Sequence, residues 1–347
     1  MSITTRVQIF LLVLLFGFLA GPHVMEALQK RDAIASSPLS TAPIPLTEVA
    51  SSETSTPRIV PLQTKTKLAP LDPFLSFTPE AKGIYVWDIA THRKLYGINE
   101  YRPLPLASVT KIMTALVATE ILPPDTHIII TSADLDEEGD NGLFAGEEWT
   151  FKDLLQFTLV ASSNDGASAI ARTAGEKLFG DATSSDPNVA KALFIKKMNE
   201  RANDIGLLNT TFANETGLDI SATTSGEYGS PRDMAMLFEY TYKKYPELFP
   251  PTTHTTIDVA SLTGLPHHVQ NTNDDVGHIA GILASKTGFT DLAGGNLVIL
   301  FDMGNNHPIA IAVLGSTREG RFTDVEALHR ATITTLTGEG KGAGVTR

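Results

Sequence analysis

Three short polar segments lie in a fixed order along this chain of 347 residues. They are Ser108-Val-Thr-Lys111, Ser162-Ser-Asn164 and Lys286-Thr-Gly288. The first carries a hydroxyl and an amine, the second a hydroxyl and an amide, and the third a cation, a hydroxyl and a glycine. A serine hydroxyl becomes a good nucleophile when a neighbouring base takes its proton, and a lysine amine can be that base. Together the segments indicate acyl transfer by a serine nucleophile.

The sequence around Ser108 predicts a helix start. Pro103 and Pro105 precede it, and neither proline nor glycine interrupts residues 108–122. Residues i and i+3 share a helix face, so the Lys111 amine would lie beside the Ser108 hydroxyl. Lysine acts as a base only if burial or nearby cations lower its pKa from about 10.4 toward neutrality. Taken alone, the pair is more simply explained by chance or by a cap on a surface helix.

The second segment is predicted to connect two helices, residues 151–160 and 167–178. Ser162 and Asn164 would then lie on a loop held from both sides, which suits polar groups that must keep a fixed position. An ordinary turn between helices is the simpler explanation of this segment by itself.

The third segment precedes two predicted strands, residues 295–301 and 308–314, which are joined by a turn. Residues 286–288 would therefore lie on or beside a strand of the same sheet. Gly288 would let a substrate backbone approach closely, and Lys286 and Thr287 could hold an anionic end of that substrate. An ordinary strand end with a solvated lysine explains the segment equally well in isolation.

The segments and their surroundings resemble the serine-type D-Ala-D-Ala carboxypeptidases, the low-molecular-mass penicillin-binding proteins among the penicillin-recognising serine enzymes. The order and spacing of the motifs agree with that family, and the resemblance covers roughly residues 73–335. The similar stretches are residues 105–116, 212–219, 230–235, 286–291 and 314–321.

The resemblance implies catalytic roles for four of these residues. Ser108 attacks the carbonyl of the terminal D-Ala-D-Ala peptide bond, and Lys111 accepts the serine proton. Ser162 relays a proton to the leaving amine, with Lys286 close enough to tune it. Asn164 holds the substrate amide and the Lys111 amine. The product is a serine acyl-enzyme that water hydrolyses, and penicillins should acylate Ser108 by the same geometry.

The resemblance also implies how the substrate is held. The oxyanion is bound by the backbone N–H groups of Ser108 and of Phe289, the residue after Gly288. The terminal carboxylate is received by Thr287 and, from its position in the family, by Arg321, because a planar guanidinium can bind both carboxylate oxygens. Arg318 is near in sequence and chemically equal, so it is the alternative to Arg321.

The order of predicted elements indicates an α+β protein. Residues 83–89 are a predicted strand, the later predicted strands form the same sheet, helical sequence lies between them, and residues 321–336 form a closing helix. The resemblance implies the three-layer β-lactamase/DD-peptidase-like fold, in which N- and C-terminal strands form one antiparallel sheet with a helical insertion.

We divide the chain into four parts. Residues 1–28 contain an apolar run, residues 9–20, and are predicted to be an uncleaved signal anchor or, as a close second, a cleaved signal peptide. Residues 29–72 are rich in Ser, Thr and Pro and are predicted to be a flexible tether. Residues 73–336 form the catalytic domain and residues 337–347 a tail. Either interpretation of the first part places the domain on the extracytoplasmic face of the bacterial membrane.

The remaining polar clusters do not predict a metal or cofactor site. His267 and His268 are adjacent and His278 is distant, which does not suit zinc, so we expect surface histidines. The acidic run 134–140 is expected to be a solvated loop, because Ala145 stands where a calcium loop needs its closing glutamate. Without cysteine the chain forms no disulfide. A net charge of −12 argues against nucleic-acid binding.

The expected function is therefore a DD-carboxypeptidase that trims peptidoglycan stem peptides. The alternatives are a DD-endopeptidase that cuts crosslinks, then a β-lactamase, for which no water-activating glutamate can be assigned, then a non-catalytic wall-binding module. The expected partners are peptidoglycan stem peptides, β-lactam antibiotics as covalent inhibitors, and the membrane through the N-terminal segment.

Overall fold

The computed structural model describes residues 72–139, 142–180 and 186–342. Its α-helices are α1 (Lys111–Ile121), α2 (Phe151–Ala161), α3 (Asn164–Leu178), α4 (Pro187–Asp204), α5 (Pro231–Lys244) and α6 (Gly320–Gly342). Its strands are β1 (Gly83–Asp88), β2 (Arg93–Ile98), β3 (Leu104–Pro105), β4 (His127–Ile129), β5 (Glu148–Thr150), β6 (Thr211–Phe212), β7 (Asp219–Ser221), β8 (Thr224–Ser225), β9 (Glu227–Gly229), β10 (Thr256–Ala260), β11 (Pro266–Gln270), β12 (Ile282–Thr290), β13 (Gly294–Asp302) and β14 (Pro308–Ser316).

The central sheet joins the two ends of the catalytic domain. Its strand order is β12-β13-β14-β1-β2, and every neighbouring pair is antiparallel. The three long strands β12, β13 and β14 are almost continuously buried, which is why their sequences are apolar runs rather than alternating patterns. The predicted sheet of N- and C-terminal strands is confirmed.

One face of this sheet packs against the C-terminal helix. Side chains of successive strand residues point to opposite faces, and Val86, Ile299 and Ile311 share one face of three neighbouring strands. They form a single buried cluster with Val325 and Leu328 of α6. Helix α6 is thus the outer layer on this side.

The other face of the sheet carries the helical part of the domain. Tyr85, Leu300 and Ala312 alternate with the residues of the first face and belong to a second buried cluster, which includes Leu237 and Phe238 of α5. The helix, sheet and helical region make three layers, so the expected α+β fold is confirmed.

Helix α1 runs through the middle of the helical region. Its residues from Lys111 to Ala118 are all buried, which is typical of a helix surrounded by protein on every side. The helix is preceded by a 3₁₀ turn, Ala107–Thr110, so the predicted helix start near Ser108 is confirmed with a tighter first turn.

The two helices around Ser162 are also present, but the second begins earlier than predicted. The Ser163 side chain accepts a hydrogen bond from Gly166 N at 3.0 Å and caps α3. Asn164 is therefore the first residue of a helix and not a loop residue, because a serine cap starts the helix directly after it.

Two expectations about surface residues are wrong. Asp134 is buried, and its carboxylate pairs with Arg172 of α3 at 2.9 Å, so this part of the acidic run is not a solvated loop. The His267 ring packs against the rings of Trp149 and Phe157, and its Nε2 lies 3.1 Å from a Glu147 carboxylate oxygen, so it is not a surface histidine. In both cases the partner is distant in sequence.

The predicted N-terminal parts of the chain and the described residues overlap only at Asp72. The predicted anchor, residues 1–28, and all but the last residue of the predicted tether, residues 29–72, lie outside the described residues. Helix α6 continues to Gly342, into the segment predicted as a tail. Among the helices that the structure describes, none has the length and apolar character needed to cross a membrane.

Candidate active site

Ser108 lies in a turn against which two glycines pack closely. Ala107, just before it, has a φ of 49°, a left-handed conformation that is uncommon for a residue with a side chain. A Cβ on Gly217 would lie 2.0 Å from the Ala107 carbonyl oxygen, and one on Gly288 would lie 3.1 Å from Ser108 N. Two chain segments thus approach the turn closely, one at Gly217 and the other at Gly288, because glycine has no side chain at the point of contact.

Asn296 connects the approach to Ser108 with the central sheet. Its Nδ2 donates to the carbonyl oxygens of Pro105 and Leu106, each at 2.9 Å. Its Oδ1 accepts from Gly315 N at 2.7 Å. The sequence analysis missed this residue, although a lone amide inside an apolar strand is a signal that could have identified it, because a buried amide needs partners.

The Lys111 amine has three oxygen neighbours. Its Nζ lies 2.9 Å from Ser108 Oγ, 2.6 Å from Asn164 Oδ1 and 2.6 Å from the Thr216 carbonyl oxygen. The last two oxygens are acceptors only, so they occupy both N–H groups of a neutral amine. The remaining lone pair then faces the Ser108 hydroxyl, which is the geometry that proton abstraction requires.

Burial allows the Lys111 amine to be neutral near neutral pH. The Lys111 residue is 1% exposed, and desolvation lowers the pKa of Lys111 to about 7, although the carboxyl groups of Glu227 and Glu215 act in the opposite direction. Burial also raises the pKa of Glu227 to about 9. A carboxyl held in its neutral form stabilises an ammonium much less than a carboxylate would.

A second serine–lysine pair lies at the end of α2. Ser162 has a left-handed backbone, φ 60° and ψ 33°, and its Oγ accepts from Lys286 Nζ at 2.8 Å. Lys286 also donates to the Thr287 carbonyl at 3.0 Å. Burial, together with the cations of Lys111 and Arg321, holds the pKa of Lys286 well below its usual value.

Asn164 links the first pair to the loop opposite. Its Oδ1 accepts from Lys111, and its Nδ2 donates to the Glu138 carbonyl at 2.6 Å. The position of Asn164 at the start of α3, two residues after Ser162, brings the two serine–lysine pairs to one place.

The loop that supplies the Thr216 carbonyl is shaped by Asn214. The Asn214 Oδ1 accepts from Thr216 N at 3.0 Å and from Gly217 N at 2.7 Å, and its Nδ2 donates to the Leu218 carbonyl at 2.8 Å. Sequence reasoning missed Thr216, because a backbone carbonyl carries no residue-type signal.

The two arginines near the third motif occupy different places. Arg321 is 7% exposed and donates from Nη1 to the Gly288 carbonyl at 3.0 Å, so it supports strand β12. The Arg318 guanidinium lies 3.6 Å from the centre of the Phe289 ring. Thr287 is buried, and its hydroxyl is 2.6 Å from the hydroxyl of Thr272.

Comparison with known families assigns the chain to one of them. Residues 72–318, well over half of the chain, match the family described as D-alanyl-D-alanine carboxypeptidase. The chain belongs to this family. The predicted residues that the structure brings together around the Ser108 turn all lie inside or within a few residues of the matched range.

Curated relatives in the D-alanyl-D-alanine carboxypeptidase family carry two kinds of name. The chain is 32% identical over 253 residues to D-alanyl-D-alanine carboxypeptidase DacF of Bacillus subtilis, which covers 71% of this chain and 60% of DacF. It is 31% identical over 239 residues to a D-alanyl-D-alanine endopeptidase of Haemophilus influenzae, covering 68% of this chain and 74% of that protein.

A solved structure of a related protein shares the fold. It is penicillin-binding protein D2 from Listeria monocytogenes in its ampicillin-bound form. The sequences are 26% identical, the TM-score is 0.60, and the match covers 74% of this chain and 98% of that chain.

A cleft of about 650 Å³ adjoins the site in this family member. Asn164 and Phe289 form part of its wall, and the remaining lining residues are Glu138, Gly139, Leu218, Asp219, Ser221, Ala222, Thr290, Asp291, Leu292 and Arg318. Another surface cleft, of about 500 Å³, is lined mainly by residues of α5 and contains none of the predicted site residues.

Proposed function

We propose that this chain is a serine-type D-alanyl-D-alanine carboxypeptidase that removes the terminal D-Ala of peptidoglycan stem peptides through an acyl-enzyme on Ser108. The observation that carries the proposal is the surroundings of Lys111. Its buried amine lies 2.9 Å from Ser108 Oγ, while two carbonyl-type oxygens engage its other hydrogens.

Acylation follows from this arrangement. Lys111 takes the proton of the Ser108 hydroxyl as Oγ forms a bond to the carbonyl carbon of the penultimate D-Ala. The backbone N–H groups of Ser108 and Phe289 stabilise the oxyanion, and one such donor typically lowers the barrier by about 3 kcal/mol. The carbon–nitrogen bond then breaks, and Ser162, with Lys286 beside it, gives its proton to the leaving amine of D-Ala and receives in its place the proton that Lys111 took, so that Lys111 is a neutral amine again before deacylation.

Deacylation reverses these roles with water as the nucleophile. A water molecule gives a proton to Lys111 while its oxygen attacks the acyl carbonyl carbon. The ester bond to Ser108 breaks, the serine oxygen recovers a proton, and the shortened peptide leaves with a new carboxylate. A β-lactam amide acylates Ser108 by the first half of this sequence, but its leaving amine remains attached to the acyl group.

The terminal carboxylate of the substrate lies beside Thr287 of β12. Lys286 and Thr287 supply an amine and a hydroxyl there. Arg321 adds positive charge and holds the Gly288 carbonyl, so we assign it a supporting role beside carboxylate binding. Arg318 borders the cleft on the other side of Gly288.

The chain works outside the cytoplasmic membrane on this proposal. Residues 1–28 would direct export, either as an anchor or as a cleaved signal, and residues 29–72 would let the domain reach the wall. Determining the N-terminal residue of the mature protein distinguishes an anchor from a cleaved signal.

Labelled penicillin tests the acyl-enzyme. We expect a covalent adduct on the wild-type protein and none on Ser108→Ala, with both proteins folded by circular dichroism. An adduct of equal yield on Ser108→Ala would contradict the assignment of the nucleophile.

DD-endopeptidase activity is the second candidate, because relatives of similar identity are named D-alanyl-D-alanine endopeptidases. Incubation with pentapeptide monomers and with crosslinked dimers separates the two. Release of D-Ala from monomers with intact dimers supports the carboxypeptidase, and loss of dimers at a comparable rate supports the endopeptidase.

A further inference from the structure

Lys191 of α4 joins two chain segments that border the site. Its Nζ lies 2.7 Å from Glu137 Oε1 and 3.1 Å from Glu215 Oε1. We call these three side chains the Lys191 bridge. The reaction described above uses none of them, but each of the two carboxylates directly precedes a residue whose backbone carbonyl oxygen belongs to the site.

One arm of the bridge leads to Asn164. Glu137 directly precedes Glu138, whose carbonyl oxygen accepts from Asn164 Nδ2 at 2.6 Å. This contact orients the amide so that its Oδ1 faces Lys111 Nζ, 2.6 Å away. A shift of the Glu138 carbonyl would let the amide rotate, and the Lys111 amine would then lose one of its two acceptors.

The other arm leads to Lys111 directly. Glu215 precedes Thr216, whose carbonyl oxygen accepts from Lys111 Nζ at 2.6 Å. Glu215 is 2% exposed, and burial raises its pKa, while Lys191 acts in the opposite direction. A buried carboxylate is costly unless a cation compensates its charge. Lys191 supplies that cation, so it stabilises the Glu215 side chain in its place.

The helix that carries Lys191 is itself fixed to the site. A Cβ on Gly175 of α3 would lie 2.0 Å from the carbonyl oxygen of Ala190, the residue before Lys191. Helix α3 begins at Asn164, so α4 packs closely on the helix that presents this amide. The Lys191 side chain is 18% exposed, and ion pairs that are partly buried are screened much less than pairs on the surface.

The bridge therefore acts on both acceptors of the Lys111 amine. With the Asn164 amide and the Thr216 carbonyl in place, the lone pair of the neutral amine faces Ser108 Oγ. If either acceptor moves, the amine can rotate and turn this lone pair away from the hydroxyl. Catalysis is sensitive to such changes, because a misplacement of about 1 Å can reduce a rate by about 10²-fold.

We propose that Lys191 is a positioning residue for the acylation of Ser108. By pairing with both carboxylates of the bridge, it fixes the segments whose carbonyl oxygens orient Lys111 and its amide partner. The inference rests on the proposed function, because Lys191 acts on the reaction only through Lys111. It assigns Lys191 no proton-transfer step.

The plateau of the pH profile isolates this role. Above the midpoint the Lys111 amine is neutral, so the rate constant for acylation by labelled benzylpenicillin reports the geometry of the site and not its protonation. We expect the plateau of Lys191→Met, which keeps an aliphatic side chain, to be about tenfold below that of the wild type. Rates are counted per penicillin-reactive site in the intact chain. A loss of charge alone would move the midpoint, and a loss of stability alone would reduce the number of reactive sites.

Two further variants assign the effect to the bridge. Lys191→Arg keeps a cation with several N–H donors that can pair with both carboxylates, so it should restore most of the plateau. Glu137→Ala removes the more exposed carboxylate, whose side chain is 24% exposed, and leaves Lys191 paired with Glu215. It should lower the plateau by a smaller factor without leaving a buried carboxylate uncompensated.

Lys196→Met is the matched control. Lys196 lies on the same helix, its side chain is 72% exposed, and its Nζ is 3.8 Å from Glu200. The variant makes the same change in net charge and should keep the wild-type plateau.

The proposal is overturned if Lys191→Met has the plateau of Lys196→Met, or if Lys191→Arg is as slow as Lys191→Met. Should Lys191→Met fail to fold, Glu137→Ala decides, and a wild-type plateau in that variant overturns the bridge. A wild-type protein that penicillin does not label overturns the proposed function, and the role of Lys191 with it.

Discussion

The chemistry of single residues in this site depends on burial more than on residue type. A solvated lysine is almost fully protonated at neutral pH, whereas Lys111 is enclosed by protein and engages two oxygen acceptors beside Ser108. Lys286, equally enclosed, has its pKa held low by desolvation and by two neighbouring cations. Both amines can therefore exchange protons with a serine hydroxyl without the help of a histidine or a metal.

The pH dependence of acylation tests the proposed base. Burial lowers the pKa of Lys111 to about 7, so the amine is mostly protonated below this pH and mostly free above it. We expect the second-order rate constant for penicillin acylation of Ser108 to rise with pH through a midpoint near 7 and then to level off. Stopped-flow or gel-based labelling across the pH range in which the protein stays folded measures it.

Lys111→Arg is the matched control for this profile. Arginine keeps a cation at the position but does not lose its proton in the accessible pH range. The variant should lose acylation by a factor of at least about 10² at every pH, the lower end of what general acid–base catalysis contributes. Lys111 would be excluded as the base if Lys111→Arg acylated at the wild-type rate. It would also be excluded if the acylation rate of the wild-type protein did not rise with pH.

The elements position these residues through close backbone approaches. The turn Ala107–Thr110 meets the loop containing Gly217 on one side and strand β12 at Gly288 on the other. Asn296 of β13 then joins the segment before the turn to the sheet. A helix start alone would not fix the position of Ser108 relative to β12. The geometry of the site is therefore set by the contacts between elements.

Gly217→Ala tests the first of these contacts. The added Cβ would lie 2.0 Å from the Ala107 carbonyl, and Gly217 also has a φ of 91°. We expect loss of penicillin acylation and a free energy of unfolding reduced by more than the roughly 1 kcal/mol that alanine costs in a left-handed conformation alone. Chemical denaturation and labelling measure the two effects.

Gly206→Ala separates strain from collision. Gly206 has a φ of 76°, but a Cβ there would meet no atom within 4 Å. This control should lose about 1 kcal/mol of stability and keep its acylation rate. If both variants behave alike, the close approach of Gly217 to the Ser108 turn is not what matters.

Asn296→Asp tests the connection from the sheet. The carboxylate can still accept from Gly315 N, but it has no N–H for the Pro105 and Leu106 carbonyls and places a charge beside them. Unpaired buried groups each cost about 1–3 kcal/mol, so we expect a lower free energy of unfolding and slower acylation of Ser108. Asn305→Asp, on the turn between β13 and β14, supplies a matched change at an exposed position and should alter neither measurement.

Across the whole molecule, residue patterns predicted local pairs, the family resemblance supplied the long-range pairing of Lys286 with Ser162, and other long-range contacts were missed. The nucleophile segment could be predicted, because Ser108 and Lys111 are three positions apart on one turn. The Thr216 carbonyl could not be predicted, since a backbone carbonyl carries no residue-type signal and meets Lys111 only after distant segments fold together. Asn296 stands out as a lone amide in an apolar strand, but its partners Pro105 and Leu106 are distant in sequence. Asp134 and His267 were wrongly assigned to the surface because their partners are distant in sequence. Asp134 pairs with Arg172, and His267 contacts Glu147.

The position of the site within the catalytic domain leads to a prediction about residues 1–71. The predicted site residues, and the side-chain hydrogen-bond partners described above for them, lie between Pro105 and Arg321. A protein that begins at Asp72 should therefore release D-Ala from a soluble pentapeptide with the kcat/KM of the full chain, because a soluble substrate needs no tether to reach the site. Parallel assays of the two proteins, each titrated with labelled penicillin to count active sites, measure this. A shortened protein that is folded and penicillin-reactive but slow on the peptide would mean that residues 1–71 contribute to peptide binding.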